Sequence, residues 1–446
     1  MNVTLEDFIQ TVDKGFFRHI RKETVCPIEE RIDRVQFLTD LFMKLATGSY
    51  FVQSPRAFKV ESKAQRTARV IPILEISDYC VYYYCIKKLE KELALNRVDS
   101  TYGGFSLNGL IRDQEVAEID RVSEEFPSTP KRSYNTYGWV ESWKDFTKKA
   151  YVHATESDAS DFLFLDIANF YDTIDLDKLE SKVRHATSDE QGVIVNILFS
   201  FLRNWNRKVY GYGVQTKGIP QDEVGDCSRI LANFYLQKYD EQMAELCSRS
   251  GVKYFRYADD QILMSNSKDS NLRCLYEASI ILHKEGLNIN TSKVKEQDES
   301  QFTKYWAYEI YELLDDKDNR EKVKEGVKLF IENLASGRDD FRWWAVLARI
   351  ITCGINDLPL AQKHKIAEEC TRNDFLIEQS SRVLGSIGDL MSDNERELYK
   401  DELLEMSRTA RFNGFIYELI DLQRKKNIFS EDELTNLRLR LSEMTL

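Results

Sequence analysis

Hydrophobic and polar positions recur along this chain with two different periods. In residues 1–50, apolar side chains return every three or four positions, as at Phe8, Val12 and Phe16, and this spacing predicts amphipathic helices. Residues 162–167 instead form a short, continuous apolar run, which predicts a buried strand. Both patterns occur before about residue 320, so this part of the chain is predicted to combine helices with a sheet.

The same patterns assign further elements up to residue 312. Helices are predicted from Asp78, after Asp175, and over 193–205, 228–246 and 270–285, with Gly286 as a C-terminal cap. Strands are predicted over 252–257 and 261–264, and Pro72 confines the extended segment 69–75 to an edge or a strand end. Residues 301–312 are rich in Phe, Tyr and Trp, and we expect a strand or hairpin there.

From about residue 320, strand patterns disappear and charges interleave with Leu and Ile at helical spacing. Two helix-opening capping boxes, Ser392–Glu395 and Ser430–Glu433, lie 38 residues apart. This distance suits helical-pair repeats, although a plain helical bundle explains it nearly as well. The predicted fold class is therefore α+β over residues 1–320, followed by an all-α domain over 321–446, with the boundary near the charged stretch Asp315–Glu325.

The composition is that of a globular protein. Of the 446 residues, 42% are hydrophobic and 30% are charged, and no run approaches the roughly 18 apolar residues of a membrane-spanning helix. The N-terminus carries Glu6 and Asp7 and lacks the apolar block of a secretory signal. The eight cysteines are scattered without a Cys-x-x-Cys pair, and only five histidines occur, which argues against a disulfide framework or a zinc site. We expect a cytoplasmic protein with no membrane partner.

The net charge of −12 argues, taken globally, against a nucleic-acid partner. Basic residues are nevertheless concentrated in two places, residues 56–69 and 203–217. Because salt screens the interaction between charges more than about 8–10 Å apart, such local patches can attract phosphate groups even on an acidic protein. A solvated charged surface is the alternative explanation for both patches.

Three aspartates are candidates for metal chemistry. Residues 254–264 place Asp259 and Asp260 between two apolar runs, which predicts a β-hairpin with both carboxylates at its tip. Asp166 is the one charge in the predicted strand 162–167, where a buried carboxylate needs a cation, an arginine or exposure. It either caps the next turn or is a third carboxylate beside the pair. Three carboxylates from two strands could hold the two Mg²⁺ ions of a phosphoryl-transfer site.

Two further segments are candidates for nucleotide contacts. Tyr171 lies five residues after Asp166, and it is either a core aromatic or a ring that packs against the sugar of an incoming nucleotide. In the second role it would exclude a 2′-hydroxyl and favour deoxyribonucleotides. Thr216–Gln221 contains Gly and Pro, so it is either an ordinary turn or a loop that approaches a nucleotide and offers Gln221 as a hydrogen-bonding group.

Four segments follow the order and approximate spacing of motifs A to D of reverse transcriptases. They are Asp166-Ile-Ala-Asn-Phe-Tyr-Asp172, Gly218-Ile-Pro-Gln221, Tyr257-Ala-Asp-Asp260 and Gly286-Leu-Asn-Ile-Asn-Thr-Ser-Lys293. Upstream, Arg69-Val-Ile-Pro-Ile resembles the fingers segment of this family, and the resemblance covers about residues 55–310. The residues at 78–84, 102–105 and 167–172, together with the helical tail, look most like the bacterial abortive-infection and defence-associated (unknown-group) reverse transcriptases.

The resemblance implies a right-hand polymerase, with fingers and a palm on a βαββαβ-type sheet, before the helical C-terminal domain. It implies that Asp166, Asp259 and Asp260 are catalytic and, with the backbone of Ile167, bind two Mg²⁺ ions, with Mn²⁺ as a substitute. The nucleotide-binding residues that it implies are Lys59, Arg66, Arg69, Tyr171, Gln221 and Lys293. Lys293 would protonate pyrophosphate, although a surface lysine after a turn is the simpler explanation.

One segment departs from the family pattern. Asp222 stands where motif B has Gly, and Ser228 follows Gln221 by seven residues instead of five. The acids of 222–226 would repel a template backbone. The resemblance therefore implies DNA synthesis from dNTPs in anti-phage defence, either on an RNA template, such as a dedicated non-coding RNA, or without a template.

Other classes of function stay open at this point. A polymerase fold could serve as an RNA-binding scaffold that acts through a partner, or the palm could belong to an RNA polymerase or a cyclase. Tyr-Ala-Asp-Asp and the aromatic Tyr171 favour deoxynucleotides over ribonucleotides. The expected partners are an RNA template or non-coding RNA, the DNA product, dNTPs and a second copy of the chain. Trp343 and Trp344 are expected to belong to the core of the helical domain.

Overall fold

The computed structural model describes residues 3–23, 32–63, 67–104, 107, 138–206, 218–221, 227–316, 318–355 and 357–444. The chain divides into two compact units, of which the first comprises Met1–Arg56 and Pro72–Glu299. The second comprises Ala57–Ile71 and Ser300–Leu446. This division differs from the predicted one in two ways, since it falls about twenty residues before 320 and assigns a segment from the N-terminal part of the chain to the helical unit.

The strands of the described residues are β1 (Ala57–Lys63), β2 (Thr67–Ile73), β3 (Thr101–Tyr102), β4 (Asp161–Leu165), β5 (Lys253–Tyr257), β6 (Asp260–Ser265) and β7 (Lys295–Asp298). The helices up to residue 299 are α1 (Leu5–Thr11), α2 (Lys14–Glu23), α3 (Arg34–Ala46), α4 (Ile76–Ala94), α5 (Gly138–Glu156), α6 (Phe170–Thr173), α7 (Leu176–Ala186), α8 (Gly192–Leu202), α9 (Cys227–Tyr235), α10 (Gln237–Arg249) and α11 (Lys268–Lys284).

The remaining helices are α12 (Glu299–Trp306), α13 (Tyr308–Asp315), α14 (Arg320–Ser336), α15 (Trp343–Cys353), α16 (Leu360–Cys370), α17 (Asn373–Leu376), α18 (Ser381–Asp389), α19 (Asp393–Thr409), α20 (Asn413–Lys426) and α21 (Glu431–Glu443). Both predicted capping boxes are present, with Ser392 and Ser430 opening α19 and α21. Within the part of the chain that the structure describes, no helix is long and apolar enough to cross a bilayer. The cysteines described are free thiols.

A five-stranded sheet organises the first unit. Its strand order is β3-β5-β6-β4-β7, with β3 and β5 parallel and every other neighbouring pair antiparallel. Strands β4 to β7 with their intervening helices thus lie in the order that a βαββαβ unit produces. Helices α10 and α11 pack on one face of the sheet, and α5 packs on β3 and β5. Because side chains alternate along a strand, each strand serves both faces.

The core of the first unit surrounds α4. This helix is buried along nearly its whole length and packs against α8 and α9. Its tyrosines are the main contacts: the Tyr83 ring stacks on Phe16 with centroids 3.6 Å apart, and Tyr82 stacks on Phe201 at 4.7 Å. Leu163, Leu165 and Leu263 from the sheet join the same core, which leaves the opposite sheet face outside it.

The hairpin β1–β2 enters the second unit, where β1 packs on α20. The Asn413 side chain accepts a hydrogen bond from the Val60 N–H at 2.6 Å and donates one to the Phe58 carbonyl at 3.0 Å. The side-chain amide thereby pairs with the strand as a neighbouring strand would. These contacts are the physical reason why residues 57–71 belong with the helices.

Two predicted elements differ from the structure. Residues 301–312 are helical and not a strand or hairpin, since α12 and α13 meet at Ala307, whose φ is +50°. The buried residues Phe302, Ile310 and Leu314 recur at helical spacing, and burial of that face outweighs the strand preference of the aromatic residues. The helix predicted over 228–246 is broken at Leu236 into α9 and α10. Of the two tryptophans expected in the core, Trp343 is buried and Trp344 is exposed.

Candidate active site

The site begins where β4 ends beside the β5–β6 hairpin. Leu165 pairs with Gln261, and the hairpin closes with Tyr257 opposite Asp260 across the turn residues Ala258 and Asp259. Continued by one residue, the β4–β6 register sets Asp166 opposite Asp260. Residues opposite each other in an antiparallel pair point to the same face. The structure therefore brings the three predicted carboxylates to one end of the sheet.

The carboxylates lie on the face that the core does not use. Leu165 and Gln261 project toward the core helices, so the next residues in each strand, Asp166 and Asp260, project the other way. Asp166 is 4% exposed, Asp259 is half-buried and Asp260 is exposed. The site thus combines one sheltered carboxylate with two that reach toward solvent.

The segment after α11 holds Asp166 by backbone and side chain. The Asn290 N–H donates to the Asp166 carbonyl at 2.8 Å, and the Asn290 side-chain amide donates to Asp166 Oδ1 at 3.2 Å. The Lys293 ammonium donates to Asp166 Oδ2 and forms an ion pair with it. An unpaired buried carboxylate would be costly, and these groups compensate it.

Lys293 also interacts electrostatically with Asp259 and Asp260. Partial burial alone would lower the pKa of Lys293, but its hydrogen bond to Asp166 and the negative charges of Asp166 and the Asp259–Asp260 pair outweigh that effect. The pKa of Lys293 therefore lies above its usual value, and the ammonium stays protonated at neutral pH. The predicted motif D lysine and the three aspartates belong to one electrostatic group.

The three aspartates have the donor chemistry of a site for a divalent metal ion. Carboxylate oxygens from adjacent strand ends are the ligands that Mg²⁺ prefers. Ile167 is buried and lies opposite Ile289 in an antiparallel bridge. The two hydrogen bonds of this bridge join Ala168 to Asn288 and Asn290 to Asp166, so the bridge does not use the Ile167 carbonyl oxygen. Within the described ranges, no three Asp, Glu, His or Cys side chains are arranged to hold an ion, and the ammonium of Lys293 supplies the positive charge at Asp166. The three carboxylates have the donor chemistry that a divalent ion requires, and Lys293 would have to leave Asp166 for an ion to bind there.

Tyr171 and the predicted motif B loop meet through their backbones. The Ile219 N–H donates to the Tyr171 carbonyl at 3.0 Å, and Trp205 Nε1–H donates to the Gly218 carbonyl at 3.0 Å. A Cβ at Gly218 would stand 1.8 Å from the Tyr171 carbonyl oxygen, so only glycine fits this approach. The Tyr171 ring is half-buried beside Phe170, and Gln221, which follows Ile219 by two residues, is also half-buried. The acidic stretch 222–226 lies outside the described residues.

Of the predicted triphosphate-binding residues, Lys59 and Arg69 belong to the second unit. Lys59 is buried in the second unit, where its ammonium pairs with Glu61 at 2.8 Å and Glu418 at 3.0 Å. Arg69 is half-buried on β2, and Arg66 lies outside the described residues. The ion pairs of Lys59 show a structural role that its sequence position did not reveal.

Sequence reasoning missed two groups around the aspartates. Asn290 follows Gly286 by four residues, and its contact with Asp166 depends on a bridge between distant segments. Arg256 precedes Tyr257 on the core side of the hairpin and forms a fully buried ion pair with Asp240 on α10. The signal for the second was available, because an arginine inside an apolar strand requires a carboxylate partner.

Comparison with known proteins agrees with these motifs. Residues 108–310 match the family model described as reverse transcriptase (RNA-dependent DNA polymerase). A stretch of 109 residues, 24% of this chain, is 28% identical to the retron Ec83 reverse transcriptase of Escherichia coli. That stretch spans 33% of the retron protein, so the chain covers about a third of this curated relative.

Solved structures of telomerases are more distant. The apo telomerase of Candida tropicalis, truncated from its C-terminal domain, is 14% identical over 60% of this chain and 58% of its own, with a TM-score of 0.34. The telomerase of Candida albicans in complex with a TWJ fragment of telomeric RNA is 9% identical over 82% of this chain and 71% of its own, with a TM-score of 0.37.

The family match includes all three aspartates, the Tyr171–Gly218 contact and Lys293. The matched range contains strands β4 to β7 and the helices between them. The part of the chain that is similar to reverse transcriptases is therefore the part that carries the candidate site.

Proposed function

We propose that the chain is a Mg²⁺-dependent DNA polymerase of the reverse-transcriptase type, with the five-stranded sheet as its palm. The observation that supports this most directly is the shared register of β4 and β6, which ends in Asp166 and Asp260 on one face, next to Asp259 in the turn. The fingers of this right hand would include the β1–β2 hairpin, and the helices from α12 onward would form the C-terminal domain.

In this proposal Asp166, Asp259 and Asp260, with the Ile167 carbonyl, hold two Mg²⁺ ions. When bound, such ions activate the attacking hydroxyl and neutralise charge on the leaving pyrophosphate. The residues of the chain supply the rest. Lys293 keeps its proton on Nζ because its pKa is raised, and the role proposed for that proton is transfer to pyrophosphate.

Nucleotide selection is proposed for Tyr171 and Gln221. The Tyr171 carbonyl accepts a hydrogen bond from the Ile219 N–H and is approached closely by Gly218, so the backbone from which the ring projects is held in place. A fixed ring at this point would exclude a ribose 2′-hydroxyl. Arg69 and Arg66 are proposed for the triphosphate, and Lys59 would have to leave Glu61 and Glu418 to take part.

The biological role proposed is DNA synthesis in anti-phage defence, on a dedicated non-coding RNA or without a template, by a cytoplasmic protein that associates with a second copy. The resemblance to defence-associated reverse transcriptases and the acids at 222–226 motivate this role. Sequencing the nucleic acid that copurifies with the protein, with and without phage infection, would identify the template and the product.

The direct test is the Asp259→Ala/Asp260→Ala double variant. We expect the wild type to incorporate dNTPs with Mg²⁺ and the variant to lose incorporation by at least about 10³-fold, because electrostatic stabilisation of the transferred phosphate disappears. A matched control replaces Asp189 and Glu190, which are adjacent and exposed in the 3₁₀ helix before α8, by alanine. Synthesis that persists in the first variant would disprove the assigned site.

A second candidate is an RNA-binding scaffold that keeps the polymerase fold and acts through a partner. The Lys293–Asp166 ion pair favours it, since an ammonium can neutralise the buried carboxylate without any metal ion. Phage protection and RNA binding that both survive in Asp259→Ala/Asp260→Ala would support the scaffold over the polymerase.

A further inference from the structure

We propose that Arg256 is a positioning residue that fixes the turn carrying Asp259, and that Asp240 and Asn233 are its supports. This inference rests on the proposed polymerase function. The residue does not face the carboxylates, because its neighbour Tyr257 pairs with Asp260 on the opposite face of the hairpin. Arg256 would therefore act through the backbone of the turn.

All three nitrogens of the Arg256 guanidinium donate hydrogen bonds to buried side chains. Its Nε and Nη2 each donate to Asp240 at 2.6 Å, one to each carboxylate oxygen, and Nη1 donates to Asn233 Oδ1 at 2.9 Å. The side chains of Arg256 and Asp240 are 0% and 1% exposed. Bidentate pairing of a planar guanidinium leaves little freedom of orientation, so the Arg256 side chain is held rigidly.

The Arg256 side chain also contacts the turn itself. Nη1 of Arg256 also donates to the Ala258 carbonyl at 2.8 Å. Ala258 adopts a φ of +54°, in the left-handed region that costs a residue with a Cβ on the order of 1 kcal/mol. A bond to the carbonyl of the strained residue stabilises the conformation that the chain would otherwise avoid. The direction in which Asp259 leaves the turn depends on that conformation.

The supports are themselves anchored to other elements. Asn233 on α9 donates through Nδ2 to the Arg229 carbonyl at 2.8 Å, and Asp240 on α10 accepts a further bond from the Tyr254 hydroxyl at 2.9 Å. On the other strand of the hairpin, Gln261 accepts from the Tyr239 hydroxyl at 2.5 Å. Both strands of the hairpin are thus tied to α10 by buried polar groups.

A buried ion pair of this kind is poor evidence for stability, because apolar residues of equal volume often serve as well. Its presence directly behind the catalytic hairpin is explained if it sets orientation. Catalytic groups must be held within about half an ångström, and a displacement of about 1 Å can cost 10²-fold in rate.

The test uses Arg256→Lys with and without Ala258→Gly. A lysine keeps the charge beside Asp240 but cannot also reach Asn233 and the Ala258 carbonyl. We expect kcat for dNTP incorporation to fall about 10- to 100-fold with little change in the KM for dNTP. Glycine removes the cost of positive φ, so Arg256→Lys/Ala258→Gly should recover at least about tenfold relative to Arg256→Lys. Ala258→Gly alone is the reference.

Amide hydrogen exchange at Asp259 and Asp260 is the second readout, and it does not require activity. It should quicken in Arg256→Lys and slow again in the double variant. If Arg256→Lys does not fold, Arg256→Met/Asp240→Leu removes both buried charges at similar volume and should show the same faster exchange. Unchanged exchange with kcat lost only in step with folded protein would overturn the proposal. An inactive wild type with faster exchange in Arg256→Lys would overturn the polymerase function alone.

Discussion

Two ion pairs lie on opposite sides of the Tyr257–Asp260 hairpin, and they are built differently. Behind it, Arg256 and Asp240 form a bidentate pair that is buried on all sides. In front of it, Lys293 pairs with Asp166 through one carboxylate oxygen, and the lysine side chain is 40% exposed. Both pairs join a cation to a carboxylate, but the first is bidentate and buried, whereas the second is a single contact with access to solvent.

The difference indicates which of the two ion pairs can be broken at low cost. A guanidinium that satisfies both oxygens of a buried carboxylate cannot leave without exposing two uncompensated charges to an apolar interior. An ammonium with access to water can exchange its partner for solvent or for another cation at small cost. The pair behind the hairpin is a permanent support, whereas the pair in front is suited to release.

The largest effect should come from breaking the pair behind the hairpin. Asp240→Ala leaves the Arg256 charge buried without its carboxylate, and we expect the free energy of unfolding to fall by about 3–5 kcal/mol. Urea denaturation followed by far-UV circular dichroism measures it. The control is Arg256→Met/Asp240→Leu, which should lose less than Asp240→Ala. Equal losses in the two variants would contradict the role of the uncompensated charge.

An intermediate effect is expected at Asp78, a carboxylate that is buried with hydrogen-bond donors in place of a paired cation. It accepts from the Tyr50 hydroxyl at 2.6 Å and from the Gln53 N–H at 2.9 Å. Burial raises its pKa from 3.8 to about 6, although these bonds oppose the shift. Since the folded state then binds the proton more tightly than the unfolded state, this group stabilises the fold as pH falls from about 6 to 3.8.

The gain should approach about 2–3 kcal/mol at the acid end of that range, measured as the free energy of unfolding at a series of pH values. Other carboxylates titrate as well, so the comparison is with Asp78→Asn, in which the increment should be absent. If the free energy of unfolding has the same pH dependence in the wild type and in Asp78→Asn, the carboxyl of Asp78 is not the source of the gain.

The smallest effect should come from the pair in front of the hairpin. Lys293→Met should change the free energy of unfolding by about 1 kcal/mol or less, because the ammonium is partly exposed and Asn290 still donates to the Asp166 carboxylate. Raising NaCl from about 0.05 to 0.5 M should shrink this difference and leave that of Asp240→Ala unchanged. A salt-independent loss of several kcal/mol in Lys293→Met would remove the distinction between the two pairs.

Local pattern was sufficient for the elements that carry the aspartates. The apolar run before Asp166 and the runs on both sides of Asp259 and Asp260 specify β4, β5 and β6, because strand burial leaves a direct trace in the sequence. The capping boxes at Ser392 and Ser430 are equally local. By contrast, the aromatic residues of 301–312 suited a strand by composition, and only the burial of one face shows the helical period.

The sequence indicates that Arg256 needs a carboxylate partner, but it does not identify the partners in the supporting contacts. Asp240 lies 16 residues before Arg256, on a helix whose packing against β5 has no local signature. Asn290 reaches Asp166 across 124 residues, and Lys59 meets Glu418 across 359. Such pairs depend on tertiary register, which hydrophobic periodicity does not encode.

The distance between Val60 and Asn413 has a consequence for how the protein is made. At about 5–20 residues per second, synthesis of the 353 residues between them takes roughly 20–70 s. During that interval the nascent β1 edge has no Asn413 to cover its backbone groups, and an uncovered strand edge is a template for pairing with other chains. A ribosome that stops before α20 would therefore release a chain whose first strand is open to aggregation, so the last helices also complete a strand made at the start of translation.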